Sequence, residues 1–281
     1  MAYKTVLVHC NDRRRISSLA ETAAELARPF EAHLVGLSVT PPAAIIPSGM
    51  PGTPDTIVLD AHCVAYRRDN GAMRAAFEAS ARKASLSAQW LEADADRASV
   101  ADVVLGHARA ADIVVAAQSD RSWQSTLYLD VADRLAVESG RPVLIVANGA
   151  PRRGFGKKVL VAWNARREAA RAIFDALPLL QRAEEVKVIT VSPQGEEGST
   201  VHVPAGDICA ALARHGVKCA ATDVVRPRAS VGGTLLTHAA EQGSDLLVMG
   251  CYGHSRLREF VLGGASRHVL EHMAIPVLMS N

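Results

Sequence analysis

The sequence predicts an α/β protein made of two tandem, open, doubly wound domains, each with a parallel sheet of about five strands. Three observations carry that prediction. Short apolar runs rich in Val, Leu and Ile alternate with longer segments whose apolar residues recur every three or four positions, so strand and helix alternate along the chain. Three of these runs recur, in the same order, in the second half. The length of 281 residues, at about 150 per domain, is enough for two hydrophobic cores of ordinary size.

The first strand is expected at Lys4-Thr5-Val6-Leu7-Val8, answered 153 residues later by Lys157-Lys158-Val159-Leu160-Val161. Ala111-Asp112-Ile113-Val114-Val115-Ala116 is answered by Ser244-Asp245-Leu246-Leu247-Val248-Met249 at an offset of 133. Arg141-Pro142-Val143-Leu144-Ile145-Val146 is answered by Ile275-Pro276-Val277-Leu278-Met279-Ser280 at an offset of 134. The drop in offset gives the first half roughly 20 extra residues between its first and fourth strands. They are assigned to residues 40–55, where Pro41, Pro42, Pro47, Pro51 and Pro54, with Gly49 and Gly52, exclude regular helix and central strand and leave a surface loop. Asn148-Gly149-Ala150-Pro151-Arg152-Arg153-Gly154 has the composition of a linker, dividing the chain into a first domain over 1–148 and a second over 155–281.

In the second half, 159–163 and 186–191 are continuous apolar runs, as in strands buried on both faces. The stretch 166–180 places Ala169, Ala172, Ile173, Leu177 and Leu180 on one stripe of a helix, and 234–241 does likewise. Parallel strands joined by helices make right-handed crossovers, and ligands of such sheets sit outside the carboxyl ends of the strands.

Composition narrows the function. Hydrophobic residues make up 49% and charged residues 21%, which is globular rather than disordered. With 31 Lys and Arg against 29 Asp and Glu, the net charge of +2 is too balanced to coat nucleic acid or an anionic membrane, so neither is expected as a partner. No apolar run approaches the roughly 20 residues of a membrane span, and the N-terminal run lacks a cleavage site, so a cytoplasmic protein is expected. Cys10, Cys63, Cys209, Cys219 and Cys251 are scattered and never spaced C-x2-C, which predicts reduced thiols rather than a disulfide framework or a zinc finger.

The segment that leaves the strand ending at Met249 has the spacing G-x2-G-x9-G-G, through Gly250, Gly253, Gly263 and Gly264, and leads into a helix expected to begin near Ser266. Glycines so placed let backbone amides approach an anion, and the helix N-terminus adds its dipole, which is phosphate-binding chemistry; two such glycines alone would more simply serve tight turns. The spacing is neither G-x4-G-K-[ST] nor G-x-G-x2-G, which disfavours P-loop NTPases and dinucleotide dehydrogenases.

The tandem halves, the terminal Ala274-Ile275-Pro276-Val277-Leu278 strand and the G-x2-G-x9-G spacing together resemble the universal stress protein family over nearly the whole chain. The resemblance implies the adenine nucleotide alpha hydrolase-like fold. It also implies an ATP, with Mg, held in the second half, with Met249, Gly250, Gly253, Gly263, Gly264, Ala265 and Ser266 around the ribose and phosphates. Gly264 stands where the family usually has Ser or Thr, which removes one hydroxyl donor; Ser266 matches a further hydroxyl position. Asn164, at the end of the first strand of this half, falls where family members contact adenine, and an Asn amide can both accept from the N6 amine and donate to a ring nitrogen. Capping the helix that follows is its equally good alternative use. Val191 falls where the family holds the adenine edge through backbone atoms. Arg256 and Arg258 can fold over a triphosphate or stay solvated, and Tyr252 can cover the ribose or simply pack.

In the first half, Ala117-Gln118-Ser119-Asp120 replaces Gly250-Cys251-Tyr252-Gly253 and the paired glycines fall near Leu129-Asp130, so every motif glycine is gone. Side chains crowd the cradle, Asp120 and Asp130 repel phosphate, and no nucleotide is expected there, although Asn11 still ends the first strand.

His268 and His272, four apart on the last helix, can face one metal, but no third ligand sits near them in sequence, and solvated or dipole-facing roles are simpler. Neither His9-Cys10 nor His254-Ser255 lies in a nucleophile-elbow context, and Arg13-Arg14-Arg15 reads as a solvated face. The glycine loop contains one carboxylate, Glu259, without a partner at a compelling spacing for aligning water or a metal. The expected role is therefore a stress-response regulator that binds ATP, with at most slow hydrolysis. The alternatives are a nucleotide-independent assembly module with a collapsed pocket and an enzyme of the related hydrolase type. The final strand resembles the edge that pairs across dimers in this family, which implies self-association, either as an internal pseudo-dimer or as a homodimer.

Overall fold

The computed structural model describes residues 2–41, 57–95, 98–119, 131–149, 154–192, 205–225, 230–251 and 264–281. In the first half the elements are β1 (Thr5–His9), α1 (Ile16–Ala27), β2 (His33–Thr40), α2 (Ile57–Lys83), β3 (Ala88–Asp94), α3 (Val100–Ala108), β4 (Ile113–Ala117), α4 (Ala132–Glu138) and β5 (Val143–Val146). The second half continues with β6 (Lys158–Trp163), α5 (Arg167–Asp175), the single turn α6 (Leu177–Leu180), β7 (Glu185–Ser192) and α7 (Ala205–Arg214). It ends with β8 (Cys219–Val225), α8 (Val231–Glu241), β9 (Leu246–Gly250), α9 (Gly264–His272) and β10 (Val277–Ser280). The alternation is the α/β pattern expected, and no helix among the described residues is long and apolar enough to cross a membrane.

The chain divides into two compact units, one containing Tyr3–Ala116 and the other Ala117–Ser119 with Ala132–Asn281. In the first, β3, β2, β1 and β4 lie side by side, all parallel. Val6, Leu7 and Val8 are buried because the sheet is covered on both faces, as a continuous apolar run requires. Helix α1 turns Leu19, Ala20, Ala23, Leu26 and Ala27 inward at helical spacing, and α2 buries Met73, Phe77 and Ala81. Helix α3 opens with a reciprocal cap, in which Ser99 Oγ accepts from the Asp102 amide at 3.1 Å and the Asp102 carboxylate accepts from the Ser99 amide at 3.2 Å.

In the second unit the order is β5-β10-β9-β6-β7-β8, parallel throughout except that β5 runs antiparallel to β10. The sheets of the two units therefore hold four and six strands rather than five apiece, because the fifth strand of the first half pairs with the last strand of the second. That pairing is centred on Leu144 opposite Leu278, with Val143 opposite Met279 and Ile145 opposite Val277. The repeat offset of 134 relates the two strands, and the pairing is centred on the one equivalent pair, Leu144 and Leu278.

The repeat extends to side-chain contacts. Gln118 Nε2 donates to the Leu270 carbonyl at 2.7 Å, and Cys251, the residue 133 positions after Gln118, donates its thiol to the Ala136 carbonyl at 3.1 Å. The matching backbone bonds are Gln118 N to Val146 O at 2.8 Å and Cys251 N to Ser280 O at 2.9 Å. Within each half, an aspartate before the fourth strand ties down the first. The Asp112 carboxylate accepts from the Lys4 and Thr5 amides at 2.7 and 2.9 Å, and Asp245 accepts from those of Gly156, Lys157 and Lys158 at 2.8 to 3.1 Å.

Several element bounds differ from the sequence expectation. Helix α2 has 27 residues where its counterpart α7 has 10, so the extra length of the first half lies in this helix and not only in the Pro-rich stretch. Thr40 closes β2, and residues 42–56 are outside the described residues. The helix expected over 166–180 is two pieces, α5 and α6, since Pro178 cannot donate to the preceding turn. Helix α8 begins at Val231 because Ser230 caps it, its Oγ accepting from the Gly233 amide at 3.1 Å. Helix α9 begins at Gly264, two residues before Ser266.

Candidate functional site

The carboxyl edge of the second unit carries a row of residues set by strand register. Trp163 at the end of β6 is paired with Thr190 on β7, and Gly250 at the end of β9 with Ser280 on β10. Val161 pairs with Val248, which puts Trp163 and Gly250 at one level. Neighbours in register on parallel strands face the same side, so Ser280, Gly250, Trp163 and Thr190 form one line across four strands. Ser280 Oγ, Trp163 Nε1 and Thr190 Oγ1 are each buried without a hydrogen-bond partner among the described residues. An unpaired buried polar atom costs about 1–3 kcal/mol, and these three lie in one line at the carboxyl ends of the strands, the end at which doubly wound sheets hold ligands.

Gly250 explains how the first turn of α5 reaches this line. A Cβ there would stand 2.5 Å from the Glu168 carbonyl carbon and 2.6 Å from the Ala169 nitrogen, so only glycine admits the helix backbone. Similarly, a Cβ on Gly232 would stand 2.7 Å from the Ala265 oxygen, so the start of α8 lies against the first turn of α9. The buried Glu168, in the first turn of α5, is paired at 2.7 Å with the exposed Arg167. Asn164 is exposed, and its Oδ1 accepts from the Arg166 amide at 3.1 Å, closing a turn in which Ala165 takes φ +58. That bond uses one lone pair of the amide oxygen and leaves a second, together with the Nδ2 amide, for other partners.

Of the other residues expected at the site, Val191 is half-buried near the end of β7 and Met249 is buried in β9. Gly264, Ala265 and Ser266 form the first turn of α9, with Ser266 buried. A Cβ on Gly264 would meet nothing within 4 Å among the described residues. Tyr252, Gly253, Arg256 and Gly263, with Arg258 and Glu259, lie outside the described residues. Trp163, Thr190, Ser280 and Glu168 escape sequence reasoning, although Trp163-Asn164 at a strand end was the available signal. Burial pushes the Cys251 thiol up to about 12, keeping it a neutral donor to Ala136.

The ring of His272 is in hydrogen-bond contact with the His268 carbonyl at 2.9 Å and stacks on the His268 ring with centroids 4.3 Å apart. Among the described residues no group of three or more His, Cys, Asp or Glu is arranged to hold a metal. In the first half, Gln118 takes the place of a loop residue and turns its amide into a clasp: Nε2 reaches Leu270 O, and Oε1 accepts from the Asn148 amide at 2.7 Å. Asp120, Leu129 and Asp130 lie outside the described residues. Around the ends of β1 and β2, His9 Nε2 and Asn11 Oδ1 are buried without partners among the described residues. Burial pushes the His9 imidazole down to about 4, so it is neutral at physiological pH.

Residues 156–281 match the Universal stress protein family. No curated protein matches the sequence. Among solved structures, the chain is similar to a universal stress protein from Archaeoglobus fulgidus DSM 4304 at a TM-score of 0.69 and 15% identity, covering 98% of this chain and 96% of that one. It is also similar to a putative universal stress protein from Pseudomonas aeruginosa UCBPP-PA14, with a TM-score of 0.56 and 14% identity over 99% of this chain and 93% of that one. A functionally unknown protein from Pseudomonas aeruginosa PAO1 gives a TM-score of 0.56 at 13% identity, over 99% and 92%. These likenesses concern the fold and extend over both halves; the sequence match is to the second, and residues 156–281 form a domain of the universal stress protein family.

Proposed function

We propose that the second half of the chain binds one ATP, with Mg, and that the protein is a cytoplasmic stress-response regulator whose output depends on nucleotide occupancy rather than on rapid turnover. The observation that carries this reading is the line of unpaired buried polar atoms, Ser280 Oγ, Trp163 Nε1 and Thr190 Oγ1, across the strand ends. A purine edge has ring nitrogens that accept from an indole N–H and an amine that donates to a hydroxyl oxygen, so a base can satisfy groups that the protein leaves unpaired. Asn164 Nδ2 and the backbone of Val191 lie at the adjoining strand ends. The phosphates go to the G-x2-G-x9-G-G segment and the N-terminus of α9, where amides without crowding side chains and the helix dipole favour an anion. In this reading Mg is carried on the phosphates of the nucleotide.

Hydrolysis requires a positioned water and usually a metal-holding carboxylate, and the glycine loop contains a single carboxylate, Glu259, so any ATPase activity is expected to be slow. The assembly reading is favoured by a separate observation. The β5–β10 pairing joins repeat-equivalent strands, as the two copies of an isologous dimer would. We infer that self-association in this protein is internal, a pseudo-dimer within one chain.

Intrinsic fluorescence tests the nucleotide reading, since Trp163 is one of three tryptophans and its indole N–H lies in the proposed site. Titration with ATP is expected to change the emission of the wild type. Trp163→Phe is expected to lose that signal, and Thr190→Val to weaken binding by about 1 kcal/mol, near fivefold. An unchanged affinity in both variants contradicts the assignment of the base to this row.

A further inference from the structure

We propose that Cys209 and Cys219 are a reversible oxidation site, closing to an intrachain disulfide that fastens α7 to β8. Cys209 lies within α7 and Cys219 is the first residue of β8. The Cys219 thiol donates to the Cys209 carbonyl oxygen at 3.5 Å. The sulfur of one residue therefore already sits over the backbone of the other. Helix α7 and strand β8 are joined by residues 215–218, where Gly216 adopts φ +79 and turns the chain back. The two elements pack directly against each other, so the bond would form within an existing contact, with the Cys219 sulfur already beside the Cys209 backbone.

Accessibility separates this pair from the buried thiols. Cys209 and Cys219 are both half-buried and free, whereas Cys10 and Cys251 are 0% exposed. A small oxidant can thus reach the pair without unfolding the domain.

The oxidant class is a low-molecular-weight disulfide such as oxidised glutathione. The thiolate of one cysteine attacks a sulfur of the oxidant, breaking its S–S bond and releasing one thiolate. The thiolate of the second cysteine then attacks the protein sulfur of this mixed disulfide, forming the 209–219 bond and releasing the second small thiol. The two protein thiols lose two electrons and two protons, and the oxidant gains them as two thiols. Burial and the neighbouring thiol hold Cys209 up to about 12, so the exchange is run at mildly alkaline pH, where more of the reactive thiolate is present.

The test uses the full chain, reduced and freed of reductant, then incubated with oxidised glutathione, alkylated and analysed by intact mass and tryptic mapping. The expected product is lighter by two hydrogens, has the peptides carrying Cys209 and Cys219 joined, melts a few degrees higher and reverts with dithiothreitol. Cys209→Ser and Cys219→Ser are each expected to lose the link and to retain a glutathione on the remaining cysteine of the pair. Glutathione on both Cys209 and Cys219 without a link overturns the proposal. So does a folded wild-type protein in which neither thiol reacts.

Discussion

At the scale of single residues, the second half concentrates unusual demands at its strand ends. A Cβ at Gly250 would stand 2.5 Å from the α5 backbone, so Gly250→Ala is expected to destabilise the protein by about 1–3 kcal/mol in urea unfolding. Gly264→Ala, by contrast, is expected to be near neutral for stability, because its Cβ meets nothing among the described residues. In the first half, His9 is held neutral, down to about 4 against 6.5 for an unperturbed imidazole. The unfolded chain binds a proton there that the native state refuses, so this contribution to stability is complete above pH 6.5 and is lost as the pH falls toward about 4. Unfolding curves across that window should lose one proton's worth of slope in His9→Gln, and an unchanged slope would contradict the assignment. The glycine spacing was legible in the sequence, since it is local. Trp163, Thr190 and Ser280 were not, because they become neighbours only through the register of four strands.

At the scale of elements, strands and helices were legible where the apolar period was strong, as in β1, β6, β9 and α5. The length of α2 was not, because the prolines before it mark where a helix cannot be and say little about where the next one ends. The direction of β5 was also hidden. Val143, Leu144, Ile145 and Val146 are buried on both faces in either a parallel or an antiparallel partnership, so the pattern of burial does not choose between them. Gln118 illustrates the same limit, since it bonds to a carbonyl 152 residues away. Gln118→Ala leaves the Leu270 carbonyl and the Asn148 amide without these bonds and is expected to cost about 1–3 kcal/mol. Cys251→Ala, its repeat equivalent, removes only a weak thiol donor and should cost less; equal losses would contradict the view that the amide is the stronger clasp.

At the scale of the whole molecule, the two copies of the repeat differ at the loop after the fourth strand. One copy keeps the glycine motif, and the other has Gln118 at the corresponding loop, where it clasps the second copy's α9. The edge of β10 is occupied by β5 of the same chain, so with self-association internal, as proposed, light scattering is expected to give the mass of one chain, 29.8 kDa. A mass of two chains would contradict internal pairing as the sole mode of association. Calorimetric titration of nucleotide-stripped protein with Mg-ATP, in parallel with a Gly253→Val variant whose branched side chain blocks the phosphate cradle, tests the central claim most directly. One ATP per chain, abolished by the substitution, is the result predicted; no binding at millimolar ATP, or binding that survives Gly253→Val, would contradict it.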